Sequence, residues 1–169
     1  LHTNFPSIFA EMRILLFTFI SFGLLGVYDD LTKIFFWKKK DSFGISLNLK
    51  LVIEIILSTI IAYWLYADLK IHFVHVPFFG VFDISVFYIA FAAFIITAFA
   101  NAVNITDGLD GLATGVLTIA LASFWIIAAS IIDVPTALFI GIWLGGLIAF
   151  LYFNIPPARI FLGDSGSLS

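Results

Sequence analysis

The chain of 169 residues has 62% hydrophobic and 11% charged side chains, with a mean hydropathy of +1.15, far from the roughly 45–50% apolar and about 25% charged balance of a soluble domain. Its 21 Phe, 4 Trp and 5 Tyr exclude a disordered polar chain, and a net charge of −3 supplies no general field for nucleic acid. With no Cys, any metal must be held by oxygen or imidazole ligands, and the composition as a whole is that of a membrane protein.

The chain opens on Leu1 with no basic stretch and short apolar core of the signal-peptide kind. It stops at Gly166-Ser167-Leu168-Ser169, within a motif-bearing loop, and is expected to be a fragment. A spanning helix needs about 20 mostly apolar residues, with roughly 17 as a lower limit. Five segments meet or approach this: Met12 to Tyr28, Leu51 to Ala67, Ile84 to Val103, Leu112 to Ile132 and Thr136 to Phe153. They are apolar on every face, as lipid-embedded helices are. Between the second and third, Lys70 to Asp83 alternates and is punctuated by Pro77 and Gly80, which predicts a short β-hairpin. The fold expected is an all-α polytopic membrane protein, one domain over residues 1–169, with an extracytoplasmic hairpin.

Counting sides orients it. Lys33, Lys38, Lys39, Lys40, Lys50 and Arg159 fall on one side, Arg13 and Lys70 on the other. By the positive-inside rule the first side is cytoplasmic. Three polar clusters share that side: Asp29-Asp30, the run Asn104 to Gly111 with Asp107 and Asp110, and Gly163-Asp164-Ser165-Gly166.

Each cluster has a plain and a chemical reading. Asp29 and Asp30 fall at a helix C-terminus, where the macrodipole disfavours negative charge. Their compensation is either an ion pair with Lys33 or a divalent cation with hard oxygen ligands. Asp107 and Asp110 are expected on one face of the first turn of the fourth span, as caps or as ligands beside Asn104, Gly108 and Gly111. Asp164 follows the rigid Pro156-Pro157-Ala158-Arg159 segment, either in a surface turn or as a third corner of a metal and phosphate site. The sequon Asn104-Ile105-Thr106 is a chance match on a cytoplasmic loop. Lys38-Lys39-Lys40 reads as a topology signal and a contact to anionic membrane lipids. Lys33 and Lys50, close to span ends, are better phosphate ligands, and Glu54 is expected to pair with Lys50. His72 and His75 read as hairpin residues, and Phe161 is placed to stack on a ligand.

Gly26-Val27-Tyr28-Asp29-Asp30, the run Asn101 to Ala113, and the run Phe153 to Ser167 together resemble the polyprenyl-phosphate N-acetylhexosamine-1-phosphate transferases. Asn104-Ile105-Thr106-Asp107 and the basic loop from Lys33 through Gly44-Ile45-Ser46 to Lys50 look most like the branch that transfers phospho-N-acetylmuramoyl-pentapeptide. Two features depart from that branch: the stretch between Lys33 and Gly44 is slightly long, and Leu162 replaces the more usual Met. The segment from Pro156 to Gly166 also looks like relatives that transfer N-acetylglucosamine-1-phosphate.

The resemblance implies Mg²⁺-dependent transfer of the phospho-sugar from a UDP-linked donor to undecaprenyl phosphate, releasing UMP at the cytoplasmic face of a bacterial inner membrane. It implies Asp164 and Asp107 as metal ligands and Asp29, Asp30 and Asp164 as catalytic residues. Lys33, Lys50, Asn104, Asp107, Asp110 and Phe161 would contact substrate. It further implies that earlier spans with a substrate-contacting Lys and later ones with a His-rich loop lie outside this chain, which alone would be inactive. A homodimer is left open. The rival class, a cation-coupled transporter, predicts acids near the membrane midplane and broken helices there.

Overall fold

The computed structural model describes residues 5–35, 46–131 and 133–168; Lys38-Lys39-Lys40 and Gly44-Ile45 lie outside them. Five long helices, α1 (Phe5–Phe35), α2 (Leu47–Ala67), α3 (Phe87–Thr106), α4 (Leu112–Ser130) and α5 (Val134–Asn154), are followed by the short α6 (Gly163–Leu168). All five are long and apolar enough to cross a membrane. Each expected span is thus found, with shifted ends.

The shifts at the ends change the placement of the acids. Helix α1 runs on to Phe35, so Asp29 and Asp30 lie inside it and Lys33, not an acid, occupies the last turn, where positive charge suits the dipole. Helix α3 continues to Thr106 with Asp107 as its C-cap. Helix α4 starts only after Gly111, whose φ of 74° is left-handed. Asp107 and Asp110 therefore sit in the α3–α4 loop rather than in the first turn of α4, because the apolar run of α3 holds its hydrogen bonds one turn beyond the predicted end.

Local chemistry explains the other starts. Ser46 caps α2 by accepting from the Leu49 N–H, and Asp133 caps α5 by accepting from the Thr136 N–H, with Pro135 in the first turn. The expected hairpin is present as β1 (Phe73–Val76) and β2 (Gly80–Asp83), antiparallel, with Phe73 opposite Asp83 and Val76 opposite Gly80. His72 Nδ1 lies 3.0 Å from Asp83 Oδ1, which also accepts from the Ser85 N–H at 2.8 Å. These bonds, His72 first, hold the Asp83 carboxyl below the usual range. A depressed folded-state value means the contribution is present at neutral pH and is lost as the pH falls through that value. Acid should therefore loosen the hairpin of the wild-type protein, and Asp83→Asn should loosen it already at neutral pH; proteolysis between β1 and β2 across a pH series checks this.

Helices α4 and α5 pack on each other, α2 packs on α3, and α6 wedges against α1 and α3. Small residues make the α2–α3 contact close, with Ala62, Ala92 and Ala93 buried together. Ile14 and Phe22 of α1, Ile61 of α2 and Leu168 of α6 form the other buried cluster. Thus α6 is plugged into the bundle by its apolar end while its first turn faces the polar clusters. Gly26 permits this approach: a Cβ there would lie 2.6 Å from Ser165 Cα and closer still to the Asp164 carbonyl.

Candidate active site

The plug places Asp164 at the meeting point of four helices. Lys33 of α1 donates to Asp164 Oδ2 at 2.6 Å and Lys50 of α2 to the same oxygen at 2.9 Å. Asn104 of α3 donates to Oδ1 at 2.9 Å and also to Ser167 Oγ at 2.8 Å. Asp29, 3% exposed, lies 3.0 Å from the Lys33 ammonium and 3.7 Å from that of Lys50. Both readings of Asp29 and Asp30 included a cation; the ion pair with Lys33 is present, and Lys50 joins it.

Asp30 has a different task. Its Oδ1 accepts from the Asp164 N–H at 3.2 Å and its Oδ2 from the Ser165 N–H at 2.9 Å. It satisfies the unpaired donors of the first turn of α6 from another helix. Gly163 takes a φ of 67° directly before, and a Cβ there would meet Asp30 Oδ2 at 3.0 Å.

The two acids assigned to metal differ in character. Burial raises the Asp164 carboxyl, but the hydrogen bonds donated by Lys33, Asn104 and Lys50 outweigh it and hold the group well below the usual range. Burial pushes Asp107 up, and the negative charges of Asp164 and Asp30 add to it against a hydrogen bond from the Gly163 N–H. Neighbouring carboxylates driven in opposite directions mark sites that handle charge. The donors are all hard oxygens, which fits Mg²⁺ in kind. Among the described residues no group of three His, Asp or Glu is arranged to hold a metal, so such an ion would need further ligands, as substrate phosphates supply.

Asp110 and Phe161 lie outside the knot of charges. Asp110 Oδ2 accepts from the Ala158 N–H at 3.0 Å, which ties the α3–α4 loop to the segment before α6. Phe161, one residue from Leu162 in that segment, is 71% exposed. Glu54 differs from expectation: Lys50 turns toward Asp164, and Glu54 instead accepts from Asn101 Nδ2. Asp29 of α1 and Asp164 of α6 both lie within reach of Lys50, so the i,i+4 partner is not needed.

Sequence reasoning gave no role to Asn154, though it stands in the third motif. It is 2% exposed; its Oδ1 accepts from the Gly111 N–H at 3.1 Å and Thr114 Oγ1 at 2.9 Å, while its Nδ2 donates to the Ile160 carbonyl at 2.9 Å. One amide thus pins both loops that carry Asp107, Asp110 and Phe161. Asn154→Ala should destabilise the protein by about 2–4 kcal/mol, since it strands several buried groups; thermal unfolding in detergent measures it.

Residues 12–169 match glycosyl transferase family 4 along their whole length. The chain belongs to this family. It is 43% identical over 157 residues to the phospho-N-acetylmuramoyl-pentapeptide-transferase of Caldanaerobacter subterraneus subsp. tengcongensis, covering 92% of this chain and 48% of that protein. It is 38% identical over 160 residues to the enzyme of that name from Clostridium perfringens, and 36% over 165 residues to that from Clostridium novyi, covering 94% of this chain in both cases. The chain spans about half the length of the curated relatives it matches. Within it, Asp29, Asp30, Lys33, Lys50, Asn104 and Asp164 are gathered at one end of the bundle.

Proposed function

We propose that the protein containing this chain transfers phospho-N-acetylmuramoyl-pentapeptide from UDP to undecaprenyl phosphate, making lipid I and UMP for peptidoglycan synthesis. The observation that carries the reading is the cluster in which Lys33, Lys50 and Asn104 converge on Asp164 at one end of five apolar helices. The names of the relatives favour the muramoyl donor over UDP-N-acetylglucosamine.

In this reading a phosphate oxygen of the lipid attacks the β-phosphorus of the nucleotide sugar. The new lipid–phosphorus bond forms as the bond to the bridging oxygen breaks, and UMP leaves with the electron pair. Charge accumulates on the phosphoryl oxygens, so stabilisation by fixed cations dominates the chemistry. Lys33 and Lys50 supply it, held in place by Asp29 and Asp164. Asp29 and Asp30 are the candidates for the base toward the lipid phosphate, with Asp30 also fixing α6. Mg²⁺, held by Asp164 and Asp107, would neutralise the diphosphate of the donor. Asn104, Asp107 and Asp110 line the donor side, and the exposed Phe161 ring is available to stack on uracil. The whole site faces the cytoplasm of a bacterial inner membrane, as the Lys and Arg distribution supports, and the chemistry requires no second copy of the chain.

The test follows UMP release by the full-length protein in detergent with Mg²⁺ and undecaprenyl phosphate, from the UDP-linked muramoyl pentapeptide and separately from UDP-N-acetylglucosamine. Preference for the muramoyl donor is expected. Preference for UDP-N-acetylglucosamine would assign the protein to the polysaccharide-initiating branch, and release from neither would refute the reading.

A further inference from the structure

One buried acid in the bundle interior makes none of the ion pairs of the charge cluster. Glu54 lies one turn along α2 from Lys50, toward the membrane interior, and is 0% exposed. Its Oε2 accepts from Asn101 Nδ2, which also donates to the Thr97 carbonyl at 2.9 Å, while Oε1 has no hydrogen-bond partner among the described residues. One turn deeper, buried Ser58 accepts from Thr97 Oγ1 at 2.9 Å. Lys50, Glu54 and Ser58 thus recur every fourth residue on α2, facing Thr97, Asn101 and Asn104 on α3. Such spacings keep each set on one helix face.

The two stripes end on a single carboxylate. Lys50 donates to Asp164 Oδ2 and Asn104 to Asp164 Oδ1, from two different helices. Whether both reach it depends on the register of α2 against α3. Alanines seal the deeper part of that interface, and the Ser58–Thr97 bond pins it there, which leaves the end nearer Asp164 to Glu54 and Asn101. A hydrogen bond resists sliding: a slip of one residue moves a donor by about 1.5 Å, enough to break the bond. Burying a carboxyl has a large desolvation cost, which a plain spacer at this position would not incur.

We propose that Glu54 is a positioning residue: by accepting from Asn101 it locks α2 on α3 and so brings Lys50 and Asn104 onto the two oxygens of Asp164. Its catalytic consequence rests on the proposed transferase reading; its geometric consequence does not. The role needs an acceptor oxygen rather than a charge, so glutamine fulfils it and leucine does not.

The experiment uses the full-length protein in detergent with Glu54→Gln, Glu54→Leu, Asn101→Leu and the Glu54→Leu/Asn101→Leu pair. Two quantities are read: turnover, and the rate at which an amine-acylating reagent modifies Lys50, followed by mass spectrometry. Loss of a buried hydrogen bond to a carboxyl predicts about a tenfold fall in kcat/KM for Glu54→Leu and a several-fold faster modification of Lys50. Glu54→Gln should stay within about twofold of the wild type in both, and the double variant should be no worse than either single one, as for two ends of one bond. The proposal is overturned if Glu54→Leu matches the wild type, or if Glu54→Gln fails as Glu54→Leu does. A wild-type protein that turns over neither donor refutes the transferase reading, and the modification rates then decide the positioning role alone. Asn101→Leu reads the same bond if Glu54→Leu does not fold.

Discussion

Asp164→Asn should lower turnover of the full-length protein by on the order of 10³-fold while leaving it folded, since a single preorganised electrostatic group is worth about 10²–10³ and this residue organises several at once. Its carboxylate receives Lys33, Lys50 and Asn104 and sits beside Asp29. An amide keeps the shape and the acceptor oxygen but cannot balance two ammonium groups. Lys33 would then lean on Asp29 and, at 3.9 Å, on Asp30, and Lys50 on Asp29, and Mg²⁺ affinity should weaken in parallel. The assay is UMP release across a Mg²⁺ titration with size-exclusion chromatography as the folding control. Turnover within tenfold of the wild type would remove Asp164 from the centre of the site. Lys33→Met and Lys50→Met would then become the informative variants.

Gly26→Ala should be damaging for a different reason. The added Cβ would fall 2.6 Å from Ser165 Cα and nearer to the Asp164 carbonyl, and both neighbours are backbone that cannot rotate away. Overpacking of this kind costs about 1–3 kcal/mol or more. Part of the strain is relieved by moving α6 outward, which shifts Asp164 away from Lys33 and Lys50. A displacement near 1 Å at a reacting centre can cost about 10²-fold in rate. Both a lower Tm and a loss of turnover of about that size are therefore expected. Gly145→Ala and Gly146→Ala are the controls, because a Cβ at either position meets nothing within 4 Å. If Gly26→Ala behaved like them, α6 would not be seated against α1 as described.

Much of the frame was legible in one dimension. Hydropathy is a property of each segment by itself, so all five long apolar helices and the hairpin could be placed from the chain alone. The errors fell at helix ends, as at Asp107, where the continuing hydrogen bonds of α3 decided the boundary. The three polar motifs were recognisable as a set for the same reason: each is contiguous, and span parity puts all three on one side.

The pairings were not legible, because they join residues far apart in the chain. Lys33 and Asp164 are 131 residues apart, and Glu54 and Asn101 are 47. Local spacing pointed Glu54 at Lys50, a sound i,i+4 pair in an isolated helix. Packing redirected Lys50 to Asp164, since an ammonium buried among helices is held by the acids that surround it rather than by the one in its own turn. Likewise Asp30, read as an ion-pair partner of Lys33, a base or a ligand, lies 3.9 Å from Lys33 and also holds the first N–H groups of α6, a task that exists only once α6 is plugged between α1 and α3. Composition and pattern determined that this chain has five helices long and apolar enough to cross a membrane, with three acid-bearing motifs at one end of them. Only the tertiary structure decided which acid meets which lysine, because the free energy of a buried charge depends on everything packed around it.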